Sequence, residues 1–314
     1  MALKVMNAAP SAELAQRMLR EARIVARLEH PAIVPIHDVG QLPDGRVFYA
    51  MKYVQGRRLD RVVRNKNPLP ELLRIFQRVC EAVAFAHAHG VIHRDLKPEN
   101  IMVGPFGEVL VMDWGIAKVL LEPSKAEPIF QVSIATANTI EQQSLLSSLG
   151  ERQLDSVAET AHGTVMGTPP YMAPEQALGE TNELDERTDV YALGAILYFL
   201  LCGRPPLETL ELTQVGQTFA DQTRQALRQA YSKIPRSIEA VCLKAMARDR
   251  NHRYVNVDAL ASDVGRFLDN LPVSAYREGL SERAERWLAR NHFLVFLIAA
   301  YLLMRIFLLL VSGR

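Results

Sequence analysis

Along this chain apolar residues alternate with polar ones, recur every three or four positions, or run together, and each pattern predicts a different element. Ala2-Leu3-Lys4-Val5-Met6 has the alternation of a strand. From Ser11, a plausible N-cap, Leu14, Met18, Ala22, Val25 and Leu28 recur at helical spacing until His30-Pro31 stops the helix. Ile33-Val34-Pro35-Ile36 then begins a strand, and Val47 to Val54 is a second strand that runs into a connector ending at Gly56. Glu71 to His89 predicts an amphipathic helix with Leu72, Phe76, Val79, Cys80, Val83 and His87 on one face and Gly90 as its stop. Val109 to Met112 is a short buried strand.

The second half is helical by the same reading. Asp189 opens a strongly apolar helix, Val190 to Cys202, closed by Gly203-Arg204-Pro205-Pro206. It is too short to cross a bilayer, so it is expected at the centre of the fold. Helices follow over about 214–231, 237–247 and 257–271. Tyr276 to Arg290 is helix-compatible, with Arg277, Arg283, Arg286 and Arg290 interleaved with Glu278, Glu282 and Glu285. Phe293 to Val311 is almost continuously apolar, and as a helix of roughly 28 Å it just matches a bilayer core of about 30 Å. Arg305 lies near its end, within snorkelling reach of the interface. A spanning helix is the leading reading, with an interfacial helix and a packed soluble helix as alternatives.

Composition narrows the class. The 314 residues are 49% hydrophobic and 23% charged, which suits a folded globular chain with two lobes and an appendage. The formal net charge of +1 gives no sign of a nucleic-acid polymer as partner. Cys80, Cys202 and Cys242 form no CxxC and sit among apolar residues, so free buried thiols in a reducing compartment are expected. The first residues lack a continuous apolar core, so no signal peptide is expected. Between about 122 and 160 Ser, Gln, Thr and Glu dominate, and a mobile insertion is expected there.

The candidate chemistry lies in His93 to Asn100, HRDLKPEN. The Asp95 carboxylate, the Lys97 ammonium and the Asn100 carboxamide can orient a hydroxyl, neutralise a phosphate and hold a divalent metal. Asp113-Trp114-Gly115 follows the Val109–Met112 strand and places a second acidic ligand at a strand end. HRDLKPEN followed by DWG resembles the catalytic and metal-binding loops of the eukaryotic-type (Hanks-type) protein kinases, and most of all their bacterial membrane-associated serine/threonine branch. The resemblance spans roughly Ala2 to Leu271 and is reinforced by Gly167 to Glu175, GTPPYMAPE.

The resemblance implies an α+β, two-lobed kinase fold with a truncated small β-sheet lobe, a large helical lobe and a C-terminal hydrophobic helix. Residues 1–50 would form the truncated N-lobe, 51–271 the hinge and C-lobe, 272–292 a juxtamembrane helix and 293–311 a transmembrane helix. The activation segment would be 113–175. Asp95 and Lys97 would be catalytic, and Asn100 and Asp113 would hold Mg2+. ATP would be bound by Lys4, by Glu21 bracing that lysine, and by Met51, Tyr53 and Val54 at the gate and hinge. Thr168 would belong to the substrate loop, and Thr160 and Thr164 are candidate phosphorylation sites that could pair with Arg94. Structural roles would fall to His93, Arg94, Trp114 in place of the usual Phe, Gly115, Glu175 paired with Arg253, and Asp189.

The implied reaction is transfer of the γ-phosphoryl group of ATP to serine or threonine hydroxyls of protein substrates. The implied setting is a single-pass protein of the cell membrane with its kinase domain cytoplasmic. A homodimer is one route to autophosphorylation. One departure stands out: the first glycine is Gly40, so no Gly-rich loop precedes Lys4. The expectation is a truncated form of a longer kinase; the other readings are weak nucleotide binding or a pseudokinase-like binding module.

Overall fold

The structure, a computed structural model, describes residues 1–5, 16, 19, 22–63, 67–114, 118–119, 169–180, 183–206 and 234–312, with side chains of the last helix described as far as Arg305. The expected helix over 214–231 and the expected insertion over 122–160 lie outside the described residues.

Strands β1 (Ala2–Val5), β2 (Ile36–Gln41) and β3 (Val47–Met51) form an antiparallel sheet in the order β1-β3-β2. Lys4 stands opposite Tyr49. Strand β2 starts at Ile36 rather than at Ile33, because the preceding residues pair elsewhere. The Val34 amide donates to the Val111 carbonyl at 3.2 Å, and the Val111 amide donates to the Ala32 carbonyl at 2.8 Å. The apolar Ile33-Val34 stretch is buried as a strand would be, but it ties the small sheet to the rest of the chain.

Beyond Met51 come β4 (Arg57–Arg58), α1 (Leu59–Val63), α2 (Leu69–Ala88), β5 (Val91–Ile92), β6 (Ile101–Val103), β7 (Val109–Val111) and β8 (Lys118–Val119). They form two further sheets, β4-β6-β7 and β5-β8. Helices α3 (Pro174–Ala177), α4 (Glu186–Cys202), α5 (Arg236–Ala245), α6 (Val257–Leu268), α7 (Leu280–Arg290) and α8 (His292–Ser312) follow.

Helix α4 is the centre of the core. It is apolar on every side, so it must be covered on every side, and α2, α5 and α6 pack around it. Val190, Leu193, Ile196 and Leu197 have no exposed surface. The helix starts at Glu186, before the expected Asp189, because Asp185 caps it by accepting the Arg187 amide at 2.9 Å. Its first turn is polar, which hides the start in a hydropathy pattern. Gly203 ends it in the left-handed region at φ 70°. Within it, a Cβ on Gly194 would stand 2.8 Å from Ala245 Cβ and from Met246 Cγ. Gly194→Ala should therefore cost about 1–3 kcal/mol by overpacking the α4–α5 contact. Urea unfolding measures this, and an unchanged stability would show that the two helices can separate freely.

The C-terminal part departs from a single juxtamembrane helix over 272–292. Helix α7 begins only at Leu280, after Glu282 folds back to accept the Gly279 amide at 3.0 Å. Pro272 to Gly279 form no helix. In α8 Phe293, Phe296, Tyr301 and Leu303 are more than half exposed. Among the described residues no helix is long and apolar enough to cross a membrane.

Candidate active site

The HRD loop leaves β5 and is held from beneath by α4. The wholly buried Asp189 carboxylate accepts the His93 amide at 2.7 Å, the Arg94 amide at 2.9 Å and the ring of His87 at 2.8 Å. Burial alone would push this carboxyl up. The hydrogen bond and charge of His87, together with the His93 amide, outweigh it, so Asp189 stays below the ordinary carboxylate range. Arg94 adopts a left-handed φ of 69°, a cost that the anchored amides offset. Asp189→Asn keeps one acceptor oxygen of two, and should destabilise the fold by about 2–3 kcal/mol. Chemical denaturation tests this; a neutral substitution would mean the loop holds its shape unaided.

His93 ties this loop to the next. Its Nδ1 receives the Asp95 amide at 3.3 Å, and its Nε2 lies 3.0 Å from the Met112 carbonyl. Both contacts suit the neutral ring with the proton on Nε2, and burial lowers the His93 pKa. Trp114 packs against His93 at 4.6 Å between ring centroids and donates its indole N–H to the Val111 carbonyl at 3.2 Å. Trp114 thus fills an apolar slot beneath the loop. The Met112 amide donates to the Asn100 carbonyl at 2.8 Å, which closes HRDLKPEN onto the DWG segment.

On this frame the chemically active groups meet. Lys97 Nζ lies 2.8 Å from Asp95 Oδ2. Asn100 Nδ2 donates to the Asp95 carbonyl at 2.9 Å and reaches Asp95 Oδ2 at 3.4 Å. Asp113, with φ 63°, forms an ion pair through Oδ1 with Lys4 of β1. The Tyr49 hydroxyl of β3 donates to the same oxygen at 3.3 Å. Burial and then the Asp113 charge push the Tyr49 phenol up, so it remains a donor. Lys4, Asp95, Asn100 and Asp113 therefore face one region between the small sheet and the helical part.

The remaining expected residues fall as follows. Met51 ends β3, and Tyr53 (63% exposed) and Val54 lie in the connector after it. Met51, Tyr49, Val34, Ile36, Asp113 and Trp114 line a small cavity at the base of the cleft. Glu175 and Arg253 form a buried two-pronged pair, 2.7 Å on each arm, and Thr188 donates to Glu175 at 3.1 Å. Burial would raise the Glu175 pKa; the hydrogen bonds and charge of Arg253 more than reverse this, and the group lies below its ordinary value. Glu21, Gly115, Thr160, Thr164 and Thr168 lie outside the described residues.

Sequence reasoning missed three positioning residues. His87 appears in the pattern only as part of a buried stripe, and in the structure it props Asp189. Tyr49 meets Asp113 because the strand register puts it opposite Lys4. Gln176 donates to the Arg94 carbonyl at 2.8 Å, bringing the segment after APE against the HRD loop. Its place directly after Glu175 was the available signal.

The donor set suits a hard divalent cation. Asp113 Oδ1 takes Lys4 and Tyr49, and among the described residues no donor stands on Oδ2. The Asn100 amide nitrogen donates to the Asp95 carbonyl, so its side-chain carbonyl oxygen is the atom that could turn to a cation.

Comparison with known proteins gives the same direction. The protein kinase domain family matches residues 1–264. Serine/threonine-protein kinase PknD of Protochlamydia amoebophila is 34% identical over 274 residues, 82% of this chain and 26% of that protein. The PknD of Chlamydia muridarum is 35% identical over 262 residues, 79% of this chain and 26% of that protein. The PknD of Chlamydia felis is 32% identical over 296 residues, 90% of this chain and 30% of that protein. The chain spans between a quarter and a third of the length of these curated relatives.

Proposed function

As a chain that belongs to the protein kinase family, it is in our reading an enzyme: we propose that it transfers the γ-phosphoryl group of ATP to serine or threonine hydroxyls of protein substrates. The observation that carries this is the convergence of Lys4 and Asp113 with Asp95, Lys97 and Asn100 around one cleft.

Asp95 would orient the acceptor hydroxyl and take its proton as the oxygen bonds to the γ-phosphorus. The bond from that phosphorus to the β-phosphate oxygen breaks, and ADP leaves with the electron pair. Lys97, held 2.8 Å from Asp95, would neutralise the oxygens of the migrating group. Lys4, already drawn to Asp113, would grip the α- and β-phosphates. Asn100 and Asp113 would hold Mg2+, which when bound would supply charge neutralisation for the phosphates. The connector through Tyr53 and Val54 would receive adenine through its backbone. The test is incubation with γ-labelled ATP, Mg2+ and a serine- and threonine-rich protein acceptor. Label in phosphoserine or phosphothreonine, lost when EDTA is added, is the expected result; label confined to tyrosine, or none, overturns the reading.

A membrane tether belongs to the same reading. Support comes from the exposed apolar side chains of α8 and from Arg283, Arg286 and Arg290 just before it, which favour a cytoplasmic kinase side. The chain should float with phosphatidylcholine vesicles, and Ala299→Asp with Leu302→Asp should abolish flotation. A native chain that remains at the bottom of the gradient sinks the tether. Phosphate on Thr160 or Thr164, added within a homodimer, would pair with Arg94.

A further inference from the structure

A cavity of about 530 Å³ opens away from the catalytic groups, between β4, α2 and the turn joining β6 to β7. None of the residues assigned to phosphotransfer lines it. Its floor is apolar, made by the buried Val62, Ile75 and Val109 with Val103 beside them. Its rim is basic, carrying Arg57, Arg74 and Arg78 against the single acid Glu71. Glu71 already accepts from Asn67 at 2.8 Å, and Arg78 is paired with Glu81 at 3.2 Å. Among the described residues Arg57 and Arg74 have no ion-pair partner. Two exposed guanidinium groups thus stand uncompensated over an apolar hollow.

We propose that this cavity is a docking site for a short segment of a substrate protein in which one or two carboxylates flank an aliphatic side chain. The carboxylates would meet Arg57 and Arg74, whose planar donors suit bidentate pairing. The aliphatic side chain would cover Ile75 and Val109. An anion alone would leave that floor wet, and an apolar segment alone would leave the guanidinium groups unmatched. The site is linked to the catalytic loop by the next residue along. Arg58 lies 3.0 Å from Asp60 and 3.7 Å from Glu99, which sits between Lys97 and Asn100. A segment docked here would raise the local concentration of a tethered serine or threonine near the cleft. The substrate part of the proposal rests on the kinase reading; the binding part does not.

The probe is a fluorescein-labelled peptide of sequence Asp-Glu-Leu-Leu-Gly, followed by anisotropy. The native chain should bind it saturably, and the Arg57→Ser/Arg74→Ser double variant should bind at least about tenfold more weakly. The amide form, Asn-Gln-Leu-Leu-Gly, should lose affinity for the native chain to a similar degree. In a kinetic arm, a serine peptide carrying this segment through a Gly/Ser linker should show a KM about tenfold below that of the bare peptide. The double variant should erase that advantage and leave kcat/KM for the bare peptide unchanged. No saturable binding, equal binding by the variant, or displacement of the probe by a single-stranded oligonucleotide in preference to the acidic peptide would overturn the docking site. Because anisotropy needs no turnover, a chain that binds the probe but transfers no phosphate refutes the kinase reading and leaves the site standing.

Discussion

Asp95→Asn should lower phosphotransfer by about 100- to 10,000-fold while leaving the unfolding midpoint almost unchanged. The substitution preserves shape and preserves an acceptor for Lys97, which lies 2.8 Å from the native carboxylate. It also leaves the Asp95 backbone carbonyl free to receive Asn100 as before. What it removes is the negative charge that would take the hydroxyl proton. The loss should therefore appear in kcat, with the KM for ATP little altered, since Lys4 and Asp113 are untouched. Initial rates with labelled ATP, alongside thermal unfolding of both proteins, separate a chemical defect from a folding defect. A variant as active as the native chain would remove Asp95 from the chemistry.

Arg253→Ala should be the most damaging single change to stability, at about 3–5 kcal/mol. Arg253 is fully enclosed, bonds both oxygens of Glu175, and also donates to the carbonyls of Ala247, Arg187 and Arg248. Truncation leaves a buried carboxylate and three carbonyls short of their donor. The pH dependence distinguishes this cause from simple loss of packing. In the native chain the Glu175 pKa is lower folded than unfolded, so its contribution is present above the ordinary carboxylate range and is lost as pH falls through the folded value. In the variant burial acts without Arg253 and pushes the carboxyl up, so the deficit should shrink on acidification. Urea unfolding at neutral pH and at about pH 5 measures both. A deficit independent of pH would assign the effect to packing.

Much of this architecture can be read along the chain, and particular residues show where reading stops. The stripe Leu72, Phe76, Val79, Cys80 and Val83 names α2 and its buried face, because helical periodicity is a local property. The apolar run after Asp189 names the central helix. HRDLKPEN and DWG name the candidate site, because side-chain chemistry at fixed short spacing survives any packing arrangement. The start of α4 was hidden because Asp185 sets it through a cap and not through hydrophobicity. Ile33-Val34 looked like part of β2 because burial alone does not say which backbone provides the partner.

The sequence by itself determined which groups are available and which stretches must be covered: a carboxylate, an ammonium and an amide in one short loop, a second carboxylate after a buried strand, and an all-apolar helix. Only the tertiary structure decided that Lys4 reaches Asp113 across 109 positions, that His87 props Asp189, and that Arg57 and Arg74 stand over an apolar hollow. Such meetings depend on strand register and helix packing. A one-residue slip in register would send Lys4 to the other face of its sheet, and the order of residues along the chain does not display that register.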